Sequence, residues 1–450
     1  MAAFFDLWIS MKILFVSLGC DKNSVDSEVM LGVLSSAGYS FTDDEDEADV
    51  VIVNTCCFIG DAKKESIQNL IELGEGRLSG KYKALIATGC LAQRYAEDIH
   101  RDIPEVDALV GISSIDHIAE ALDLVLKGTP KDFFDSLDVS IKGNKKRVMT
   151  TGGYYDYLKI AEGCNKRCTY CVIPSVRGNY RSVPMEDLIE EAKELVDRGV
   201  RELILVAQET TVYGVDLYGK KMLPKLLDSL CEIDDLKFIR ILYAYPEEIT
   251  DELIDVIKRQ DKIVNYIDMP IQSGSDRILK LMGRRTTRKQ IYDLVSKLRK
   301  NIPDICLRTT LISGFPTEDE KDFEDSIKMV SDLEFDRLGV FTYSREEDTP
   351  AATMKPQILQ KVKKARQKKL MLTQQEITFR KNSSMVGREV KAIVEGYIPE
   401  DNIYVARTYR DAPDVDGYLF VSSMRELLSG EVIDVKVTSS VEYDLIGELV

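Results

Sequence analysis

No stretch of the 450-residue chain approaches the ~20 apolar residues that a membrane span requires, so a transmembrane reading is excluded. Histidine is scarce: only His100 and His117 occur, both inside helical patterns that need no catalytic reading. Tryptophan is scarcer still, with Trp8 alone in the mildly apolar start from Met1 to Ser10. That start lacks a basic n-region and a small-residue cleavage site, so it does not read as a signal peptide. It reads as an upstream start or an appendage, because the first clear strand opens at Met11-Lys12. Positive charge is also in short supply, 60 basic against 76 acidic residues, net −16. A chain that grips nucleic acid through phosphates usually carries a basic face. The balance argues against nonspecific nucleic-acid binding and suits a basic partner. Nine cysteines without a secretory signal do not make a disulfide framework; free thiols fit a reducing cytoplasm.

Three of those cysteines carry the chemistry. Cys164, Cys168 and Cys171 lie in Glu162-Gly163-Cys164-Asn165-Lys166-Arg167-Cys168-Thr169-Tyr170-Cys171, a C-x3-C-x2-C loop just after an apolar strand. A zinc site usually pairs two C-x2-C knuckles, and no second knuckle follows. Three thiolates are one too few to close a four-iron cluster, and the iron left open is where a metal centre does chemistry.

The segment before this loop alternates strand and helix. Strands are expected at Ile13–Leu18, Val50–Asn54, Ala84–Thr88 and Asp107–Val110. Helices are expected near Ser24–Ala37, Ala62–Leu73, Ala92–His100 and Ser114–Leu126. Four βα units imply an open parallel sheet with helices on both faces. The first three strands run into Cys20, Cys56 and Cys90, two of them preceded by glycine. Ligands bind beyond the carboxyl ends of such strands. A second three-thiolate site and three buried structural cysteines are both open readings of that spacing.

Residues 128–153 read as a linker rich in Lys, Asp and Gly. Six further strands are expected, at Tyr157–Ala161, Glu202–Ala207, Phe238–Tyr243, Val264–Asp268, Ile305–Ile312 and Arg337–Thr342. With helical patterns between them, they suggest a partial (β/α)6 barrel with the cysteine loop after its first strand. Lys355–Lys381 reads as a solvated helix leaving the barrel; the sharper reading of its lysines is a patch for ribosomal RNA or another acidic surface. From Ser383 the texture changes to short strands, Glu389–Val394, Tyr404–Arg407, Tyr418–Val421, Glu431–Thr438 and Leu445–Leu449, the pattern of a small OB-like β-barrel. Six basic and thirteen acidic residues give that segment a net −7, where a nucleic-acid barrel would present a basic groove. The expected divisions are 12–127, 128–153, 154–382 and 383–450.

Several stretches together resemble the radical S-adenosylmethionine (SAM) methylthiotransferases, from Met11 to Val450. They are Ser17-Leu18-Gly19-Cys20-Asp21-Lys22-Asn23, Val53-Asn54-Thr55-Cys56, Thr88-Gly89-Cys90-Leu91-Ala92-Gln93-Arg94, the cysteine loop, and Thr342-Tyr343-Ser344-Arg345-Glu346-Glu347-Asp348-Thr349-Pro350. The resemblance implies an N-terminal cluster domain, a radical SAM barrel and a C-terminal TRAM barrel. It implies two 4Fe-4S clusters, one on Cys164, Cys168 and Cys171 that cleaves SAM, the other on Cys20, Cys56 and Cys90 that carries sulfur. Within the family, Leu18-Gly19-Cys20 with Lys22-Asn23, Asp336–Phe341 and Arg407–Gly417 resemble the RimO branch, which modifies an aspartate of the small-subunit ribosomal protein numbered twelve. Two departures stand against that: Asp21 replaces the usual Pro, and Ser273-Gly274-Ser275 is seen more often in the MiaB branch, which modifies transfer RNA. The acidic barrel favours a basic protein substrate over transfer RNA. The resemblance also implies an electron donor. Tyr170, Gln208, Glu209, Thr210 and Arg308 are expected at SAM, with a buried structural role open for each. Cys57 reads as a bystander, and Cys231 and Cys306 as structural.

Overall fold

The computed structural model describes residues 11–141, 143 and 146–450; Trp8 and the expected appendage lie outside them. The chain divides into two compact units. One runs to Thr150 and adds 162–165 and 171–183; the other comprises 151–161, 166–170 and 184–450.

The first unit is built on a wholly parallel five-stranded sheet. Its strands are β1 (Lys12–Ser17), β2 (Ser40–Thr42), β3 (Val50–Thr55), β4 (Ala84–Thr88) and β5 (Ala108–Val110), in the order β2-β1-β3-β4-β5. The runs Val-Val-Ile-Val and Ala-Leu-Ile-Ala have no polar face because both faces are sheathed by helices. Val51, Val53, Leu85 and Ala87 pack with Leu70, Leu73 and Leu91 on one side. Val50, Ile52, Ala84 and Ile86 pack with Met30, Leu34 and Leu122 on the other. The four expected strands are present, and β2 is added at the edge. Three residues with half-exposed side chains carry too little apolar pattern to reveal it. The helix expected near Ala92–His100 is two, Gly89–Arg94 and Ala96–Asp102, broken at Tyr95 where ψ reaches 35°.

The expected linker is strapped to this unit instead of hanging free. Phe133 is buried and bridges Val110. Arg147, which is buried, and Thr150, which is exposed, both bond Glu28 on helix Asp21–Ser36.

In the second unit, six parallel strands form an open sheet, the partial barrel. They are β6 (Tyr155–Lys159), β9 (Glu202–Val206), β10 (Phe238–Ile241), β11 (Ile263–Asp268), β12 (Cys306–Ser313) and β13 (Arg337–Thr342), paired in sequence order. Two short strands flank the cysteine loop in sequence: β7 (Ala161–Glu162), where the chain passes from the second unit to the first, and β8 (Arg181–Ser182) in the first. Five strands, β14 (Glu389–Ile398), β15 (Ile403–Thr408), β16 (Leu419–Ser422), β17 (Val432–Val441) and β18 (Asp444–Leu449), close into the expected C-terminal barrel.

This barrel covers the amino ends of the six-stranded sheet. Tyr155 donates to Asp414, and the Cys306 thiol to the Arg410 carbonyl. Arg337 pairs with Asp411. Glu202 pairs with Arg407, and Phe238 joins Ile393 and Ala412 in one apolar cluster. All five of these sheet residues are the first of their strands.

The helix expected at Lys355–Lys381 runs from Gln360 to Ser383, and it is solvated on one face only. Lys363 is buried and donates to the Tyr343 carbonyl; Arg366 is buried against Glu318. Lys361, Lys364, Lys368 and Lys369 are exposed, as expected of the outer face. The density of lysines hid an inner face on which Lys363 and Arg366 are buried in line with Leu370 and Ile377.

Candidate active site: two sets of three cysteines

Ser17, Asn54 and Thr88 stand in register across β1, β3 and β4, so the three strands end level. Cys20 caps the helix that follows β1, Cys56 follows β3 directly, and Cys90 is the second residue of the helix after β4. The order β2-β1-β3 reverses direction between β1 and β3, the switch point at which open sheets bind ligands. Backbone conformation brings the loops together. Gly19 has φ +100°, and a Cβ there would stand 2.7 Å from the Cys56 Cβ and 2.9 Å from its sulfur. Gly89 has φ +88° and lies against the Thr55 carbonyl, where a Cβ would come within 2.5 Å. Asn23 then stitches the edge, its amide donating to Leu18 and Thr55 carbonyls at 2.9 and 3.0 Å.

The sulfurs are held among charged groups. Arg177 is fully buried and donates to the Cys90 sulfur at 3.5 Å, to Asp26 and Glu162 at 3.1 and 2.8 Å, and to Asn23. Burial pushes the Cys56 and Cys90 thiols up, and Arg177 works against that in both. Cys57 sits in the apolar core and donates to the Cys90 carbonyl, and Cys306 is wholly buried. Among the described residues no three His, Cys, Asp or Glu converge on a single metal ion. An iron–sulfur cluster takes each thiolate at a separate iron, and an all-sulfur donor set suits it.

The loop of Cys164, Cys168 and Cys171 buries the first two and half-buries the third. Gly163 turns with φ +77° against the Asn179 carbonyl, where any Cβ would clash at 2.2 Å, and Cys164 N–H bonds Gly178. In the second unit, Thr169 is fastened at three points: its amide to Met282, its hydroxyl to Leu281, and its carbonyl to Ala351 N–H. Tyr170 meets Phe315 edge-on at 6.4 Å, and Phe315 meets Tyr343.

Lys166, inside the loop, brings the expected Glu209 into a charged group. It pairs with Glu248, Glu247 (3.5 Å) and Glu209 (3.8 Å), and lies over the Tyr245 ring. Burial raises the Glu209 carboxyl to about 7, although Thr211 and Lys166 oppose it. Gln208 is half-buried beside it. The Thr210 hydroxyl is committed to the Leu242 carbonyl at 2.8 Å. Arg308 is matched by two carboxylates, Asp268 (3.2 Å) and Asp416 (3.5 Å), so a third carboxylate would have to compete for it.

Arg284 was not expected. It is buried, stacks 4.1 Å from the Tyr245 ring, and donates Nη2 to the Pro270 carbonyl at 2.8 Å. Its Nε and Nη1 meet no acceptor among the described residues. Lys166, Tyr245, Glu247 and Glu248 were missed with it. The available signal was Tyr245-Pro246-Glu247-Glu248, a polar run just past the carboxyl end of β10, where barrel active sites lie.

Residues 12–111 match the uncharacterized protein family UPF0004, 158–330 the radical SAM superfamily, and 386–450 the TRAM domain. A ribosomal protein uS12 methylthiotransferase RimO of Lachnoclostridium phytofermentans is 61% identical over 437 residues, 97% of this chain and 99% of the relative. Proteins of the same description from a Thermoanaerobacter species and from Clostridioides difficile are 48% and 47% identical. They cover 96% and 98% of this chain, and 98% and 99% of their own lengths. Among solved structures, the radical SAM methyltransferase TsrM of Kitasatospora setae, with cobalamin and a 4Fe-4S cluster bound, superposes with a TM-score of 0.57. That match covers 76% of this chain and 77% of TsrM; at 13% identity it shows the fold alone. From the level strand ends with their cysteines, the cysteine loop and relatives matched end to end, the chain belongs to the radical SAM methylthiotransferase family, in its RimO branch.

Proposed function

We propose that this enzyme attaches a methylthio group to the β-carbon of an aspartate in ribosomal protein uS12, a cytoplasmic reaction that draws electrons from a separate donor. The observation that supports it most is the full-length identity to RimO proteins of a chain that places Cys20, Cys56 and Cys90 at one sheet edge. Cys164, Cys168 and Cys171 would hold one 4Fe-4S cluster, and Cys20, Cys56 and Cys90 a second. When bound, the clusters supply reductive cleavage of SAM to a carbon radical and a sulfur-bearing iron. The chain's own residues do the orienting. Arg284 offers a buried guanidinium with free donors to the SAM carboxylate, a stronger candidate than the doubly paired Arg308. Glu209 and Gln208 face the amino group and ribose; Tyr170 backs the adenine with Phe315 behind it. Residues 12–127, 154–382 and 383–450 would act as cluster domain, barrel and TRAM domain.

The surface of the C-terminal barrel favours a basic protein. Arg407 and Arg410 are buried, leaving four exposed bases against eight exposed acids from Ser383 to Val450. Such a surface draws in a basic partner and repels an RNA backbone. Anaerobically reconstituted protein should bind about eight irons, and about four once Cys20, Cys56 and Cys90 are changed to Ala. Incubated with SAM, reductant and either uS12 or transfer RNA, it should add the methylthio mass to an aspartate peptide of uS12. Modification of transfer RNA alone would overturn the proposal.

A further inference from the structure

Arg177 lies six residues past Cys171, at the end of the short helix Ile173–Val176, and Gly178 (φ +76°) turns the chain beyond it. Its side chain is one of the largest wholly buried in the protein. The planar fork reaches four acceptors at once: Asp26 and Glu162 from Nη1, Asn23 and the Cys90 sulfur from Nη2. Only a guanidinium can span them, because an ammonium is a point donor. Arg177 is shared among two carboxylates, Asp26 and Glu162, and the Cys90 sulfur, so each thiolate formed at Cys20, Cys56 or Cys90 adds negative charge around a cation already divided. Buried charge of one sign is costly, and adding an electron to such a site is harder unless a donor withdraws density from the sulfurs.

We infer that Arg177 is a positioning residue of the strand-edge cluster, donating to the Cys90 sulfur and holding that cluster's reduction potential up while its other arm fixes Glu162 at the root of the cysteine loop. The inference rests on reading Cys20, Cys56 and Cys90 as cluster ligands. Outer-shell hydrogen bonds of this kind tune a metal centre without ligating it.

The test uses the full chain with Cys164, Cys168 and Cys171 all changed to Ala, leaving only the strand-edge site to be loaded with iron and sulfide. Midpoint potential is read by titration followed by electron paramagnetic resonance. Adding Arg177→Gln should move the potential to more negative values with iron content unchanged, and Arg177→Lys should fall between. Glu162→Gln, which removes a competing carboxylate, should move it the other way. An unmoved potential in Arg177→Gln at full iron overturns the inference. If that variant loses iron, an unmoved potential in Glu162→Gln overturns it equally. If the parent triple variant binds no iron at all, the ligand assignment fails instead, and the two failures are told apart by the iron count.

Discussion

Glu202 is wholly buried between Arg240 and Arg407, at 2.8 and 2.6 Å, and both guanidiniums are also wholly buried. Arg407 reaches on to Glu395 at 2.6 Å, so the group fastens the first residue of β9 to the C-terminal barrel. Removing a buried pair's shared carboxylate strands the opposite charge, which costs about 3–5 kcal/mol. Here one deletion leaves Arg240 only the Tyr409 and Thr408 carbonyls, and leaves Arg407 with Glu395 and the Asp411 carbonyl, so Glu202→Ala belongs within that range. The loss corresponds to a fall in melting temperature on the order of 10 °C. Reversible urea unfolding of the apoprotein, followed by far-ultraviolet circular dichroism, measures it. The pH dependence has a definite sign. Burial alone would raise the Glu202 carboxyl, but Arg407 and Arg240 outweigh it and hold it below its usual 4.5. Its contribution is therefore full above that value and drains away as pH falls below it. The parent and Glu202→Ala should converge in acid. A loss under about 1 kcal/mol at pH 7, the typical worth of an exposed pair, would refute the reasoning. As a control, replacing Glu202, Arg240 and Arg407 together by apolar residues of similar volume should cost far less than Glu202→Ala alone.

Glu209 titrates in the opposite sense: its folded value of about 7 lies above the usual 4.5, so it costs stability progressively between those pH values and fully above them. Relative to the parent, Glu209→Gln should gain about 3 kcal/mol between pH 4.5 and 8, read from urea midpoints at both ends. Gly19→Ala should displace Cys56, since its Cβ would stand 2.7 Å from the Cys56 Cβ at φ +100°; iron retained after reconstitution should fall by about half, toward a single cluster. Arg366→Ala should cost about 3–5 kcal/mol by stranding the buried Glu318, while Lys364→Ala on the outer face should stay within about 0.5 kcal/mol, both by chemical denaturation.

Much of the fold was legible because strands such as β3, β4 and β9 are apolar runs, and those of the C-terminal barrel alternate apolar and polar residues. The placement of the six cysteines was legible for a different reason: in the loop they are close in sequence, and at the sheet edge each follows shortly after a strand that pattern alone locates. What escaped depends on pairing between distant residues. β2 gains its order from β1, not from its own Ser-Phe-Thr. The strap from Gly128 onward is fixed by Glu28, more than a hundred residues away. Lys363 and Arg366 look like solvated charges until Tyr343 and Glu318 are placed beneath them. Arg284 belongs to the same class: nothing in Gly283-Arg284-Arg285 says that only the first arginine is buried, at 6% exposure, over Tyr245.

The stretch Arg407–Gly417 matters most for how a branch signature should be understood. It resembles RimO proteins, and the natural inference is that it reads the substrate. Its side chains do something else. Arg407 is spent on Glu202 and Glu395, Arg410 on Asp336, Asp411 on Arg337 and Thr408, and Asp416 on Tyr266. Every one of these except Glu395 and Thr408 belongs to the six-stranded sheet or the residue leading into it, and the contacts gather at the strands' amino ends. Chemistry in such sheets lies at the carboxyl ends. The stretch is therefore the seat of the C-terminal barrel. The exposed acids, among them Glu400, Asp401, Asp414 and Asp434, make no part of the seat beyond the one bond from Tyr155 to Asp414. A barrel held rigidly by buried ion pairs can present those acids in a fixed array, and a fixed array loses less entropy on docking than a mobile one.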